Sequence, residues 1–113
     1  MALKRMVLEI GMGNDLHGGD YTKAAIRAVQ DAIHHSSLTM IKSLDIARED
    51  MHVEVTVGVQ DPSAVDTAAV AKTLPYGQIT VKAVSGGQDV PTDTGDDRAV
   101  IATAAIIVRV ELP

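Results

Sequence analysis

Val53, Val55, Val57 and Val59 alternate with His52, Glu54, Thr56 and Gly58. Successive side chains of a strand point to opposite faces, so this stretch demands a sheet with one buried face. The rest of the chain must supply strands to pair with it and helices to cover it. Met6, Leu8, Ile10 and Met12 alternate with Arg5, Val7, Glu9 and Gly11, which predicts a first strand. Ile79, Val81 and Ala83 alternate in the same way before Ser85-Gly86-Gly87, and a strongly apolar last strand runs from about Val100 to Leu112.

Two segments carry helical periodicity instead. From Tyr21 to His35, Ala25, Ala28, Val29, Ala32 and Ile33 fall on one side, and Lys23, Arg27, Gln30, Asp31 and His34 on the other. Asp61-Pro62 reads as an N-cap followed by proline at the first helical position, predicting a second helix over Ser63 to Leu74 that stops at Pro75. Residues 86–97, with Asp89, Asp93, Asp96 and Asp97, read as a polar, turn-rich loop. The order is β-α-β-α-β-β in one domain over residues 1–113. It predicts an α+β two-layer sandwich, a mixed sheet with both helices on one face. The other face would carry Arg5, Val7, Glu9 and Gly11 from the first strand, Glu54, Thr56 and Gly58 from the second, Thr80 and Lys82 from the third, and Thr103, Ala105, Ile107, Arg109 and Glu111 from the last. That mixture of small, apolar and charge-balanced residues fits either a solvated face or a contact between subunits, and Val7 and Ile107 favour a homo-oligomer.

Composition narrows the function classes. The chain has two tyrosines and no Phe or Trp, so aliphatic residues fill the core and aromatic stacking on bases or sugars is almost excluded. A net charge of −5 argues against a nucleic-acid or anionic-membrane binder. With no cysteine there is no disulfide, thiolate metal site or Cys nucleophile. No apolar run reaches signal-peptide or membrane-span length, so a cytoplasmic protein is expected.

The segment Gly11-Met12-Gly13-Asn14-Asp15-Leu16-His17-Gly18-Gly19 joins the first strand to the first helix. Exposed N–H groups at such a junction favour an anion, and Gly11, Gly13, Gly18 and Gly19 allow crowded or left-handed backbone there. A dinucleotide fingerprint would need a third glycine where Leu16 stands. Asp15 and His17 can hold one divalent metal, zinc above all, or pair as acid and base. The plainer alternative is a turn-capping carboxylate and a surface imidazole. Ser85 on its glycine turn, with Gly86 and Gly87, is a second candidate: a nucleophile and ligand-binding backbone if a base lies beside it, otherwise a β-turn. The acidic loop reads as mobile, and it could close as a lid over the glycine loop of a neighbouring subunit.

Several resemblances bear on these residues. The element order and the open sheet face resemble the chorismate-mutase-like and enamine/imine-deaminase (YjgF-type) trimers, which implies three sheets packed into a central barrel and ligand clefts between subunits. The segment around Gly11, Gly13, Asp15, His17 and Gly18 resembles the G-x-G-x-D-x-H-G signature of a small family of short conserved hypothetical proteins, which implies that this loop is the functional centre. Its G-x-D-x-H is also similar to the start of methylerythritol cyclodiphosphate synthases, and that likeness implies Asp15 and His17 as zinc ligands. A third ligand would then come from His34, His35 or His52 of a neighbour, because within one helix His34 and His35 lie roughly 20 Å away. Ser85-Gly86-Gly87 resembles the Ser-Gly-Gly of cyclic-amide hydrolases of the cyanuric acid type, although Val57 stands where a lysine would activate the serine. Two functions follow from the residues. One is a small-molecule enzyme, a metal-assisted hydrolase or lyase with its site at a subunit interface. The other is a non-catalytic homo-oligomer that binds a metabolite or partner through the same cleft.

Overall fold

A computed structural model describes residues 2–34, 50–74 and 77–112. In chain order the elements are β1 (Ala2–Asp15), α1 (Tyr21–His34), β2 (His52–Val59), a 3-10 turn (Pro62–Ala64), α2 (Thr67–Ala71), β3 (Gln78–Ser85), β4 (Gln88–Pro91) and β5 (Arg98–Leu112). The sheet is ordered β1-β5-β2-β3, with β4 also paired to β5. Among the described strands only β5 runs against the others, because it is antiparallel to β1, β2 and β4 while β2 and β3 are parallel. This is the predicted α+β arrangement with a mixed sheet. His35 and Pro75 lie outside the described residues.

The core lies between α1 and the sheet. Ala24, Ala25, Ala28, Val29 and Ala32 of α1 are fully buried against Val53, Val55, Val57 and Val59 of β2 and the buried row Val100, Ala102, Ala104, Ile106, Val108 and Val110 of β5. Small side chains let the helix sit low on the sheet. On β1 they are dispensed with altogether: a Cβ on Gly11 would stand 2.4 Å from the Ala28 carbonyl oxygen, and one on Gly13 would stand 2.2 Å from the Ala28 nitrogen. Both contacts are with helix backbone, which cannot turn aside as a side chain can.

The glycine row reverses the expected facing of β1. The β1–β5 register shifts between Arg5 and Val7, inserting Met6 as an extra residue. Such a bulge moves every later side chain to the opposite face. Val7, Gly11, Gly13 and Asp15 therefore turn toward α1, whereas Leu8, Ile10 and Met12 stand exposed on the other face. The sequence reading placed Val7, Glu9 and Gly11 on that open face. Arg5, Thr103, Ala105, Ile107, Arg109 and Glu111 do lie in the rows it assigned.

Three other elements differ from expectation. Asp61 makes no side-chain cap and leads only into the 3-10 turn; Asp66 is the cap of α2, accepting from the Ala69 N–H at 3.1 Å. The predicted loop over 86–97 contains β4, whose Gln88–Pro91 pair with Arg98–Ile101 in a hairpin. The first strand continues to Asp15, so Gly11 and Gly13 belong to the sheet and the true connection is Leu16–Asp20. At the outer edge of β1, the Met12 N–H donates to Asp31 at 2.9 Å and Arg27 donates to the Asn14 carbonyl at 2.7 Å.

Candidate functional site

The connection from β1 to α1 is organised around two carboxylates. Asp20 caps α1, accepting the Lys23 N–H at 3.0 Å. Its own N–H donates to Asp15 at 2.9 Å. Asp15 is 4% exposed, and its second oxygen lies 3.8 Å from Lys23 Nζ and 3.7 Å from Arg27. A negative group at the amino end of a helix, holding the cap residue's N–H, is stabilising through the orphan donors and the helix dipole. A divalent cation on Asp15 would have to settle beside two existing cations.

Gly18 and Gly19 follow with φ of +94° and +63°, two successive left-handed residues that bend the chain over the head of α1. The bend brings it against the β4–β5 hairpin. Asp97 accepts the Gly18 N–H at 3.1 Å and its neighbour Arg98's N–H at 2.8 Å. The second Asp97 oxygen is 3.5 Å from His17 Nδ1. The His17 side chain is otherwise open to solvent, at 88% exposure. The Arg98 and Gly18 amides, and to a smaller extent His17, hold the Asp97 carboxyl below the ordinary carboxylate value. Asp96 is held down as well, by the hydroxyls of Thr94 and Thr92.

Beneath this pair lies a second cluster. Tyr21, the first residue of α1 and buried, donates its hydroxyl to Asp89 of β4 in a short hydrogen bond. Arg98 places its guanidinium 5.2 Å from the centre of the Tyr21 ring and 3.5 Å from the same Asp89 oxygen. Gly19 makes room for this, since a Cβ there would come within 3.2 Å of the guanidinium. The hydrogen bond to Asp89 is the main cause of a raised Tyr21 pKa, followed by burial and the Asp89 charge, with Arg98 opposing. The other Asp89 oxygen is buried without a hydrogen-bond partner among the described residues. A groove of about 320 Å³ opens above, lined by Gly18, Gly19, Pro91, Gly95, Asp96, Asp97 and Arg98.

The residues singled out from sequence are thus dispersed. Gly18 and Gly19 line the groove, and His17 stands beside it against Asp97. Asp15 lies under the loop and shares no partner with His17: it bonds Asp20, Lys23 and Arg27, whereas His17 meets Asp97. Gly11 and Gly13 are covered by α1. Ser85 is exposed at the end of β3, and no basic side chain bonds it among the described residues. Gly86 and Gly87 carry the chain across the end of β2, where Gly86 donates to the Val59 carbonyl at 2.9 Å and Gln60 donates to both glycine carbonyls. Gly87 has φ +62°, and a Cβ on it would lie 2.1 Å from the Ile101 oxygen. The acidic turn meets the glycine loop of its own chain. No three metal-binding side chains come together among the described residues.

Sequence reasoning missed Tyr21 and Arg98 altogether. One signal was available: a tyrosine directly after Gly-Gly-Asp at a helix start buries a hydroxyl, and a buried hydroxyl needs a partner.

Fold and site together define an α+β protein with a mixed sheet and a polar groove where the β4–β5 hairpin meets the head of α1. The chain belongs to the Lin0512 family of conserved hypothetical proteins, whose family model matches residues 5–108. It is also similar to an FtsZ-like protein of unknown function from Nostoc punctiforme PCC 73102, known from its crystal structure. The two share 38% identity over 99% of each chain, with a TM-score of 0.87. No curated protein matches the chain. No helix among the described residues is long and apolar enough to cross a membrane.

Proposed function

We propose that this protein is a small-molecule enzyme of hydrolase or lyase type, in which His17 moves the proton and the adjoining groove holds the substrate. The observation that carries the reading is the His17–Asp97 pair at the groove. A carboxylate at Nδ1 fixes the imidazole tautomer and leaves Nε2 free to take or give a proton. The separation of 3.5 Å would have to shorten to hydrogen-bond length when a ligand binds. Arg98, half exposed on the groove wall, offers a guanidinium to a carboxylate or similar planar group of the substrate. All of these residues come from one chain, so this reading needs no residue from a second subunit.

The test is a substrate screen of hydrolase and lyase classes with the wild-type protein, His17→Gln and Asp97→Asn. Loss of general acid–base catalysis lowers turnover by roughly 10²–10⁴-fold. Both variants should show that loss while keeping the wild-type circular dichroism spectrum. Equal turnover by His17→Gln would sink the proposal. A ligand that shifts the His17 imidazole resonances without being turned over would instead favour a non-catalytic metabolite-binding protein using the same groove.

A further inference from the structure

We infer that a second copy of this chain packs on the open face of the sheet along β1 and β5. The bulge at Met6 leaves Leu8, Ile10 and Met12 at 46%, 66% and 60% exposure in one row. Register places Ile107 and Ala105 of β5 directly beside Leu8 and Ile10, so the row widens into an apolar strip. Both helices lie on the other face, and among the described residues nothing covers this one. An exposed strip of this kind marks an interaction surface.

Area and charge point to a copy of the same chain as the occupant. From Leu3 to Asn14 across three strands, at about 3.4 Å per residue and 4.8 Å between strands, the face spans about 500 Å². Two copies would bury about 1,000 Å² in all, the threshold that a specific interface should clear. The chain carries a net charge of −5, so most of its surface repels its own kind. This face is different. Arg5, Lys82 and Arg109 outnumber Glu54 and Glu111, and Arg109 already pairs with Glu54 at 3.2 Å. Leu8, Ile10, Met12, Ala105 and Ile107 form the middle of the strip, with Arg5, Arg109 and Glu111 at one end of β1 and β5 and Glu54 and Lys82 toward β2 and β3. A symmetric contact therefore sets apolar strip against apolar strip with charges at its rim.

Sedimentation velocity on the full chain at micromolar concentration should give a mass of at least twice 11.9 kDa. Ile10→Glu and Met12→Glu bury a charge in the contact, weakening association at least 100-fold (roughly) and giving monomers of unchanged circular dichroism. Gln30→Glu adds the same charge on the exposed side of α1 and should leave the assembly intact. The chain has no cysteine, so a spin label on Met12→Cys reads the contact without a buried charge. It should be immobilised in the assembly. A monomeric wild type overturns the inference, as does an assembled protein whose label at this position moves freely.

Discussion

Replacing Asp15 by alanine separates a structural carboxylate from a chemical one. The side chain is 4% exposed and holds the N–H of Asp20, the residue that caps α1. A hydrogen bond to a charged acceptor contributes about 1.5–3 kcal/mol, and losing it here releases the N–H of the residue that caps α1. The ion pairs with Lys23 and Arg27 add little, because those side chains are 53% and 46% exposed. Together they are worth no more than about 1 kcal/mol. Asp15→Ala should therefore cost about 2–4 kcal/mol, a large share of the roughly 5–15 kcal/mol a domain possesses. For a chain of this size the melting temperature should fall by about 10–20 °C. Asp15→Asn keeps an oxygen for the Asp20 N–H and should lose only about 1 kcal/mol. Thermal and urea unfolding by circular dichroism measure both. If Asp15→Ala melts with the wild type yet loses a bound divalent ion or ligand, the cap argument fails and the residue belongs to the chemistry.

Two further perturbations test the packing and the buried cluster. Gly13→Ala drives a methyl group into the backbone at Ala28 and Ala24, and the strain of such overpacking, about 1–3 kcal/mol or more, should appear as a lower urea midpoint. Tyr21→Phe removes the donor from Asp89 and should cost about 1–2 kcal/mol. The Tyr21 pKa is raised in the fold, so its stabilisation is fully present below the ordinary tyrosine value of 10.0 and is lost as pH rises through the higher folded value. Wild-type stability should accordingly fall at high pH more steeply than that of Tyr21→Phe. Parallel curves would show that the hydroxyl titrates alike in both states.

The alternating valines of β2 and the alanine face of α1 were legible because hydrophobic periodicity reports burial directly. It misled on β1, where both rows contain apolar residues and the richer one, Leu8, Ile10 and Met12, faces outward while Met6 packs at the bulge. The clue lay in the poorer row: Gly11 and Gly13 mark a close approach of helix to strand, which periodicity scores as no burial at all. For the second helix, Asp61-Pro62 and Asp66 are both competent caps, and only packing against α1 and β3 selects the later one. β4 has a single aliphatic residue, Val90, and exists because β5 offers it a ladder. The glycine loop was found by its residue types. Its partners were found only in part: the acidic loop was expected to reach it from a neighbouring subunit, whereas Asp89, Asp97 and Arg98 of the same chain, about seventy to eighty positions away, meet it through the hairpin. Asp15 and His17 looked paired because they are near in sequence, whereas the turn at Gly18 sends them to different neighbours.

The side chains of Asp31 and Arg27 occupy the backbone donor and acceptor that β1 would otherwise present at Met12 and Asn14. They act as a stopper on the ladder. A stray strand approaching that end finds its hydrogen-bonding sites already filled, and slippage of β1 by one residue would tear both caps away. Sheet extension from this end, the first step of fibre growth, is thereby opposed by residues of the chain's own helix. The apolar sheet face can then be exposed beside an edge whose end nearest α1 does not invite another strand.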